Sequence, residues 1–262
     1  MLKKRVIFTL LYNDGFFALS RNFRLQNVGD ITWLERNYKF SQIAFFIDEL
    51  IILNVSRNNY NEEEFLKHVS ILAKECFIPI AAGGGIRSVE QVSKLLKNGA
   101  DKIVINTMLY ESPETISAIA KRFGQQCIVA SIDVKKIGDE FVLVSNNGNK
   151  VHNIDLKKWL KDLENLSIGE VYLNSIDNDG TGIGYNIELL DQVPDTFSLP
   201  LILAGGAGKH NHMSEILYKT KVDAVATAHL FNFLGDSLKQ ARISLINEGH
   251  SLAIWSTQGY EI

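Results

Sequence analysis

Short apolar runs alternate with longer amphipathic stretches from one end of the chain to the other: RVIFTLL, ELIILNV, IPIAAG, DKIVIN, QCIVASID, EVYLNSI, LPLILAGG and DAVATA. Eight such runs separated by helical periodicity predict parallel strands joined by crossover helices. The helical stretches carry their own signals. In NEEEFLKHVSILAKEC, Phe65, Leu66, Val69, Leu72, Ala73 and Cys76 share one face of a helix, and the acids stand in the first turn, where the helix dipole favours them. Ser88-Val89-Glu90-Gln91 has capping-box spacing, and Ser112-Pro113 offers an N-cap followed by proline at the first helical position.

The pattern repeats. Pro79-Ile80-Ala81-Ala82-Gly83-Gly84-Gly85 is echoed by Pro200-Leu201-Ile202-Leu203-Ala204-Gly205-Gly206, Asp101 by Asp223, and Glu49 by Glu170, each at a spacing of about 121 residues. Four β/α units repeated once make a (β/α)8 TIM barrel of two similar half-barrels, and 262 residues is close to the usual length of about 250 for that fold. A doubly wound open sheet is the rival. It would not require a near-half-length repeat, and GxGxxG is missing after the first strand. With no Pro- or Ser-rich linker, residues 1–262 are expected to form one domain.

Composition narrows the partners. The chain is 46% hydrophobic and 22% charged, with a formal net charge of −3 and no basic block, so nucleic acid and acidic membrane surfaces are not expected partners. No stretch approaches the roughly 20 apolar residues of a membrane span. The opening MLKKRVIFTLLYND reads as a first strand rather than a secretory leader, because Asn13-Asp14-Gly15 cuts the apolar run short. Two widely spaced cysteines, Cys76 and Cys127, suit a reducing compartment, and a cytoplasmic location is expected.

In such a barrel, chemistry belongs to the C-terminal ends of the strands and stability to the N-terminal ends. Gly84-Gly85 and Gly205-Gly206 follow strands in equivalent positions of the two halves, where bare backbone N–H groups can approach an anion. Asn106 and Thr107 end the strand beside the first pair. The alternative for any single Gly-Gly is a tight turn, and duplication in register shifts the reading toward two phosphate cradles facing each other. GGAGKH lacks P-loop spacing. Asp133 ends the strand QCIVASID, while its counterpart one repeat earlier is Leu11, so a paired acid–base arrangement has only one acid. Asp179, in SIDNDGTG, reads either as a second proton-handling group or as an Asx-turn residue. His229 reads either as a phosphate contact and proton carrier at the second glycine pair or as a packing residue. At the opposite face Arg5, Glu49, Lys102 and Glu170 begin four strands and balance in charge, which by itself reads as a structural salt-bridge ring. The histidines show no metal-binding spacing, and no metal or other cofactor is expected.

KRVIF, DEL, GGGIRS, GADKIVINT, SIDVK, SIDNDGTGIGY, LAGGAGK and VDAVATA together resemble the cyclase subunit of imidazole glycerol phosphate synthase, in order and spacing over nearly the whole chain. The resemblance implies an ammonia-using barrel paired with a glutaminase in histidine biosynthesis. It implies two phosphate sites for an elongated ribonucleotide, at Gly84, Gly85, Asn106 and Thr107 and at Gly205 and Gly206. It also implies an ammonia gate at Arg5, Glu49, Lys102 and Glu170, with the glutaminase docked on that N-terminal face. The family's two catalytic aspartates fall on Leu11 and Asp133. Leu19 stands at the position of a substrate-contacting lysine, Asn54 replaces an aspartate, and His229 replaces a small hydroxyl residue. This mixture resembles the family's glycan-amidation-associated branch, whose barrels work with a glutaminase and a separate sugar amidotransferase in making bacterial surface glycans. Three readings follow: an ammonia relay for sugar amidation, a working cyclase that recruits another acid, and a non-catalytic phosphosugar-binding module.

Overall fold

The computed structural model describes residues 3–43, 45–57 and 60–254. Its strands are β1 (Arg5–Asn13), β2 (Phe16–Arg21), β3 (Arg24–Gly29), β4 (Glu49–Asn54), β5 (Ile80–Gly83), β6 (Lys102–Ile105), β7 (Ile128–Ile137), β8 (Glu140–Ser145), β9 (Lys150–His152), β10 (Glu170–Ser175), β11 (Leu201–Ala204) and β12 (Ala224–Thr227). Eight of them, β1, β4, β5, β6, β7, β10, β11 and β12, pair in parallel in that order, and β12 returns to β1 to close a (β/α)8 barrel. All eight coincide with the apolar runs. These strands are buried on both faces, which is why their sequences read as nearly unbroken hydrophobic stretches.

Alternation along each strand sorts side chains into two cores. On β1, Val6, Phe8, Leu10 and Tyr12 face the surrounding helices, while Ile7 joins Ile51, Ala81, Val104, Val129, Tyr172, Ile202, Ala224 and Ala226 inside the barrel. The helix Glu62–Glu75 buries Phe65, Val69 and Leu72 as its periodicity predicts, and the Asn61 side chain accepts from the Glu64 N–H at its start. Ser88 caps Val89–Lys97 by accepting the Gln91 N–H, but the Gln91 side chain accepts from the Arg87 N–H, one residue before the N-cap, so the reciprocal bond of a capping box is displaced. Pro113 does open the helix Pro113–Phe123. Ser112 makes no side-chain cap there, so proline geometry alone marks that start.

The internal repeat holds at atomic detail. Asp101 accepts the Ile80 N–H at 2.9 Å, and Asp223 accepts the Leu201 N–H at 2.9 Å, so equivalent aspartates fasten equivalent strand starts. Both half-barrels also open with a long strand that runs on into an antiparallel hairpin: β1 into β2 and β3, β7 into β8 and β9. The first hairpin contains FFALSR, which the apolar-run pattern leaves as a loop. No helix among the described residues is long and apolar enough to cross a membrane.

Candidate functional site at the barrel mouth

The C-terminal ends of the strands surround a cleft of about 360 Å³. Asp133, Asp179, Gly84, Gly85, Asn106, Thr107, Gly205, Gly206 and His229 all line it, together with Leu11 and Asn54. Alternation on β7 points Val129, Ser131 and Asp133 inward, which brings Asp133 to the base of the cleft. There it accepts from Asn174 Nδ2 at 2.9 Å and from Asn106 Nδ2 at 3.0 Å. Desolvation outweighs the Asn174 hydrogen bond and, with the nearby Asp179 charge, pushes the Asp133 carboxyl up to about 7. A carboxyl in that range gives and takes protons at neutral pH.

The other half is its apolar copy. Leu11 pairs with Leu53 across β1 and β4 in the register by which Asp133 pairs with Asn174 across β7 and β10. Where one half sets a carboxylate against an amide, the other sets two leucines side by side. Leu19, in contrast, packs against the outer core on its hairpin and does not line the cleft, while the neighbouring Ser20 does.

Asp179 reaches the cleft in a role that neither sequence reading describes. Its Oδ2 accepts from Ser20 Oγ and from the Phe23 N–H at 3.1 Å, while its backbone carbonyl accepts the Asn22 N–H at 3.0 Å. The tip of the β2–β3 hairpin is therefore fastened to the loop after β10. Asn22 Nδ2 adds bonds to the carbonyls of Ile176 and Asp177, and Arg57 donates to the Phe23 carbonyl. Asn22 and Phe23 form a two-residue turn with φ of 51° and 64°. Asparagine accepts that conformation readily and phenylalanine does not, so these contacts hold a strained turn that puts the Phe23 ring over the cleft. Asp177 does the same for the second hairpin, accepting the Lys136 N–H at 2.6 Å.

The glycines are required by their neighbours. Gly84, Gly85, Gly205 and Gly206 have φ of 100°, 72°, 89° and 108°. A Cβ would lie 2.0 Å from the Asn54 carbonyl at Gly84, 2.5 Å from the Ser175 carbonyl at Gly205, and 2.0 Å from the Gly184 carbonyl at Gly206. Their own N–H groups meet no acceptor among the described residues. Asn106 departs from expectation: its Nδ2 is committed to Asp133 and to the Ser131 carbonyl, whereas the Thr107 hydroxyl has no hydrogen-bond partner among the described residues. His229 Nδ1 accepts the Asn232 N–H at 3.3 Å, which leaves its proton on Nε2, and burial pulls its pKa below the ordinary histidine value.

At the barrel floor, Arg5 bridges Glu49 at 2.8 Å and Glu170 at 2.6 Å, and Lys102 bridges Glu49 at 2.9 Å and Glu170 as well. The four residues form a closed ring of alternating charge. Burial alone would raise Glu170, but Arg5 and Lys102 outweigh it and hold the carboxyl below its ordinary range. Directly above Glu170 on the inward face of β10 stand Tyr172 and then Asn174, and Tyr172 Oη lies 3.4 Å from Thr9 Oγ1. Tyr172 has no counterpart among the sequence-level candidates. Asn174 had a signal, being a polar residue inside an apolar strand.

A closed parallel barrel with a charge ring across its floor and a buried acid in a polar, glycine-edged mouth defines a (β/α)8 barrel whose chemistry sits at the C-terminal face. The chain belongs to the Histidine biosynthesis protein family, which it matches over residues 27–235. It is 46% identical over 256 residues to a Parasynechococcus marenigrum protein provisionally named imidazole glycerol phosphate synthase subunit hisF2, covering 97% of this chain and 95% of that one. Proteins named imidazole glycerol phosphate synthase subunit HisF from Chlorobium phaeovibrioides and Streptococcus mutans are 35% and 36% identical, each over 95% of this chain and 98% of the relative.

Proposed function

We propose that this barrel accepts ammonia from a glutaminase subunit docked over the Arg5–Glu49–Lys102–Glu170 ring and relays it to a separate acceptor, a bacterial surface sugar handled by a sugar amidotransferase. The observation that carries this reading is the contrast between an intact floor ring and a mouth in which Leu11 and Leu53 stand where the repeat has Asp133 and Asn174. Two-acid chemistry at the mouth needs one group to give a proton while another takes one, and leucine does neither. Passage needs less. Neutral ammonia crosses apolar surroundings at far lower cost than an ammonium ion, and the interior above the ring is lined by Ile7, Ile51, Val104 and Val129. Three of the four alanines in the inner cluster, Ala204, Ala224 and Ala226, stand on the neighbouring strands β11 and β12, where a small molecule meets little bulk. The ring acts as the gate, and the partner's docking separates its ion pairs.

In this reading Gly84, Gly85 and Thr107 on one side, and Gly205, Gly206 and His229 on the other, hold a phosphorylated small molecule. Asn106 serves indirectly, by orienting Asp133. Asp133 is the proton carrier that remains, and Asp179 contributes by keeping the hairpin over the ligand.

A second reading, a functional cyclase of histidine biosynthesis, draws support from Asp133, whose carboxyl near 7 suits one half of the acid–base work. Mixing the protein with its candidate glutaminase and following glutamine hydrolysis tests the relay. Complex formation with stimulated hydrolysis is the expected result, lost or reduced in Glu170→Gln. Absence of any complex would remove both the relay and the cyclase reading.

A further inference from the structure

The cleft ends inside the barrel at a definite level. Thr9, Ser131 and Tyr172 line its base, whereas Ile7 and Val129, one inward step nearer the floor on β1 and β7, lie outside it. The same step on β10 leads from Tyr172 down to Glu170 of the charge ring. Tyr172, the aromatic member of the inner cluster, is 6% exposed. Its hydroxyl lies 3.4 Å from Thr9 Oγ1 on β1, although β11 and β12 separate β10 from β1 in the sheet. The side chain therefore reaches across the bore, past the inner faces of β11 and β12, where Ala204, Ala224 and Ala226 leave room for a ring. That sector is the one the proposed passage uses, so the ring stands in it. The contact that holds the ring is long beside the usual O–H···O distance of about 2.7–2.8 Å, and it is correspondingly weak.

Given that ammonia crosses this barrel as in the proposed function, we propose that Tyr172 is a second barrier on its path: latched to Thr9 it closes the bore beneath the cleft, and swung off Thr9 it admits a small neutral molecule. The floor ring and Tyr172 then bound a short apolar stretch walled by Ile7, Ile51, Ala81, Val129 and Ile202. Two barriers in series suit a relay better than one. Water entering from the mouth would raise the local dielectric and weaken the ion pairs of the ring, and ammonia that met it would become ammonium, which apolar walls do not pass. Tyr172 is thus a positioning residue that decides what moves between floor and mouth.

Cysteine accessibility in the full chain tests this. Val129→Cys, a nearly isosteric change, puts a thiol beneath Tyr172, and Ile7→Cys on the opposite wall is a second reporter. The native Cys76 and Cys127, buried in the outer core, serve as internal references. Modification by neutral methyl methanethiosulfonate, followed by peptide mass spectrometry, should speed up about ten-fold or more at either reporter when Tyr172→Ala is added. Tyr172→Phe or Thr9→Val should give about two- to five-fold, as for loss of one neutral hydrogen bond. The reference thiols should react at unchanged rates. Equal labelling of the reporters with and without the Tyr172 ring would overturn the proposal, and so would acceleration of reporters and references together, which marks a loosened barrel instead of an opened bore. Labelling indifferent to Tyr172 alongside stimulated glutamine hydrolysis would leave the relay standing without a second barrier. Labelling governed by Tyr172 with no glutaminase complex would leave the barrier without a relay.

Discussion

Leu11 and Leu53 give one half of the mouth an apolar contact where Asp133 and Asn174 give the other a hydrogen bond. Asp133 is desolvated, and its repeat-equivalent position, Leu11, holds no acid to exchange protons with it. Its folded pKa of about 7 lies above the ordinary value of 3.8, so between those values the folded protein holds a proton that the unfolded chain releases. Stability therefore falls as pH rises through this window and levels off above it. Urea unfolding at fixed pH should show wild type losing ground to Asp133→Asn between pH 5 and pH 7, by roughly 1 kcal/mol per pH unit. Parallel pH profiles would show that Asp133 titrates normally. The family resemblance is what implies an acid at the first position, and the difference between Leu11 and Asp133 is legible from the repeat. The pairing that makes Leu53 its accomplice is not, because register between strands is a property of the closed barrel.

The hairpins are the elements that sequence periodicity passes over. All eight barrel strands are visible as apolar runs because burial on both faces leaves little room for polar residues. The β2–β3 hairpin is half exposed and carries Arg21, Asn22 and Arg24 at its tip, so its signal resembles a loop. What fixes it in place is long-range: Asp179 is more than 150 residues away from Ser20 and Phe23. That distance also explains why Asp179 reads from sequence as either a proton carrier or a local turn residue. Asp179→Ala should release the strained turn and speed hydrogen exchange at the Phe23 amide about ten-fold or more, with a stability cost of about 1–2 kcal/mol. Amides of β4 should be unchanged. Equal protection of Phe23 in both proteins would show that the hairpin holds without this anchor.

At the scale of the whole molecule, the two half-barrels match at the floor and differ at the mouth. The floor keeps a neutral ring in which each buried carboxylate meets two cations, an arrangement whose disruption leaves an uncompensated charge. The two halves of the mouth share their glycines, because at Gly84, Gly205 and Gly206 neighbouring carbonyls occupy the space a side chain would need, yet they differ in the pair Leu11–Leu53 against Asp133–Asn174. The repeat makes the halves legible as copies, and the copies make the differences readable. Tyr172, the aromatic member of the inner cluster, stays hidden in sequence because a tyrosine in an apolar strand is ordinary until the barrel turns it inward.

The most direct test is formation of imidazole glycerol phosphate from the family's ribonucleotide substrate and free ammonia, comparing this protein, its Leu11→Asp/Leu53→Asn double variant and a HisF relative under one set of conditions. Turnover by this protein should lie about 10²–10⁴-fold below the relative, the range expected when one acid–base partner is missing, and the double variant should recover part of the difference. Wild-type turnover matching that of the relative would contradict the view that proton transfer at this mouth has been given up for ammonia passage.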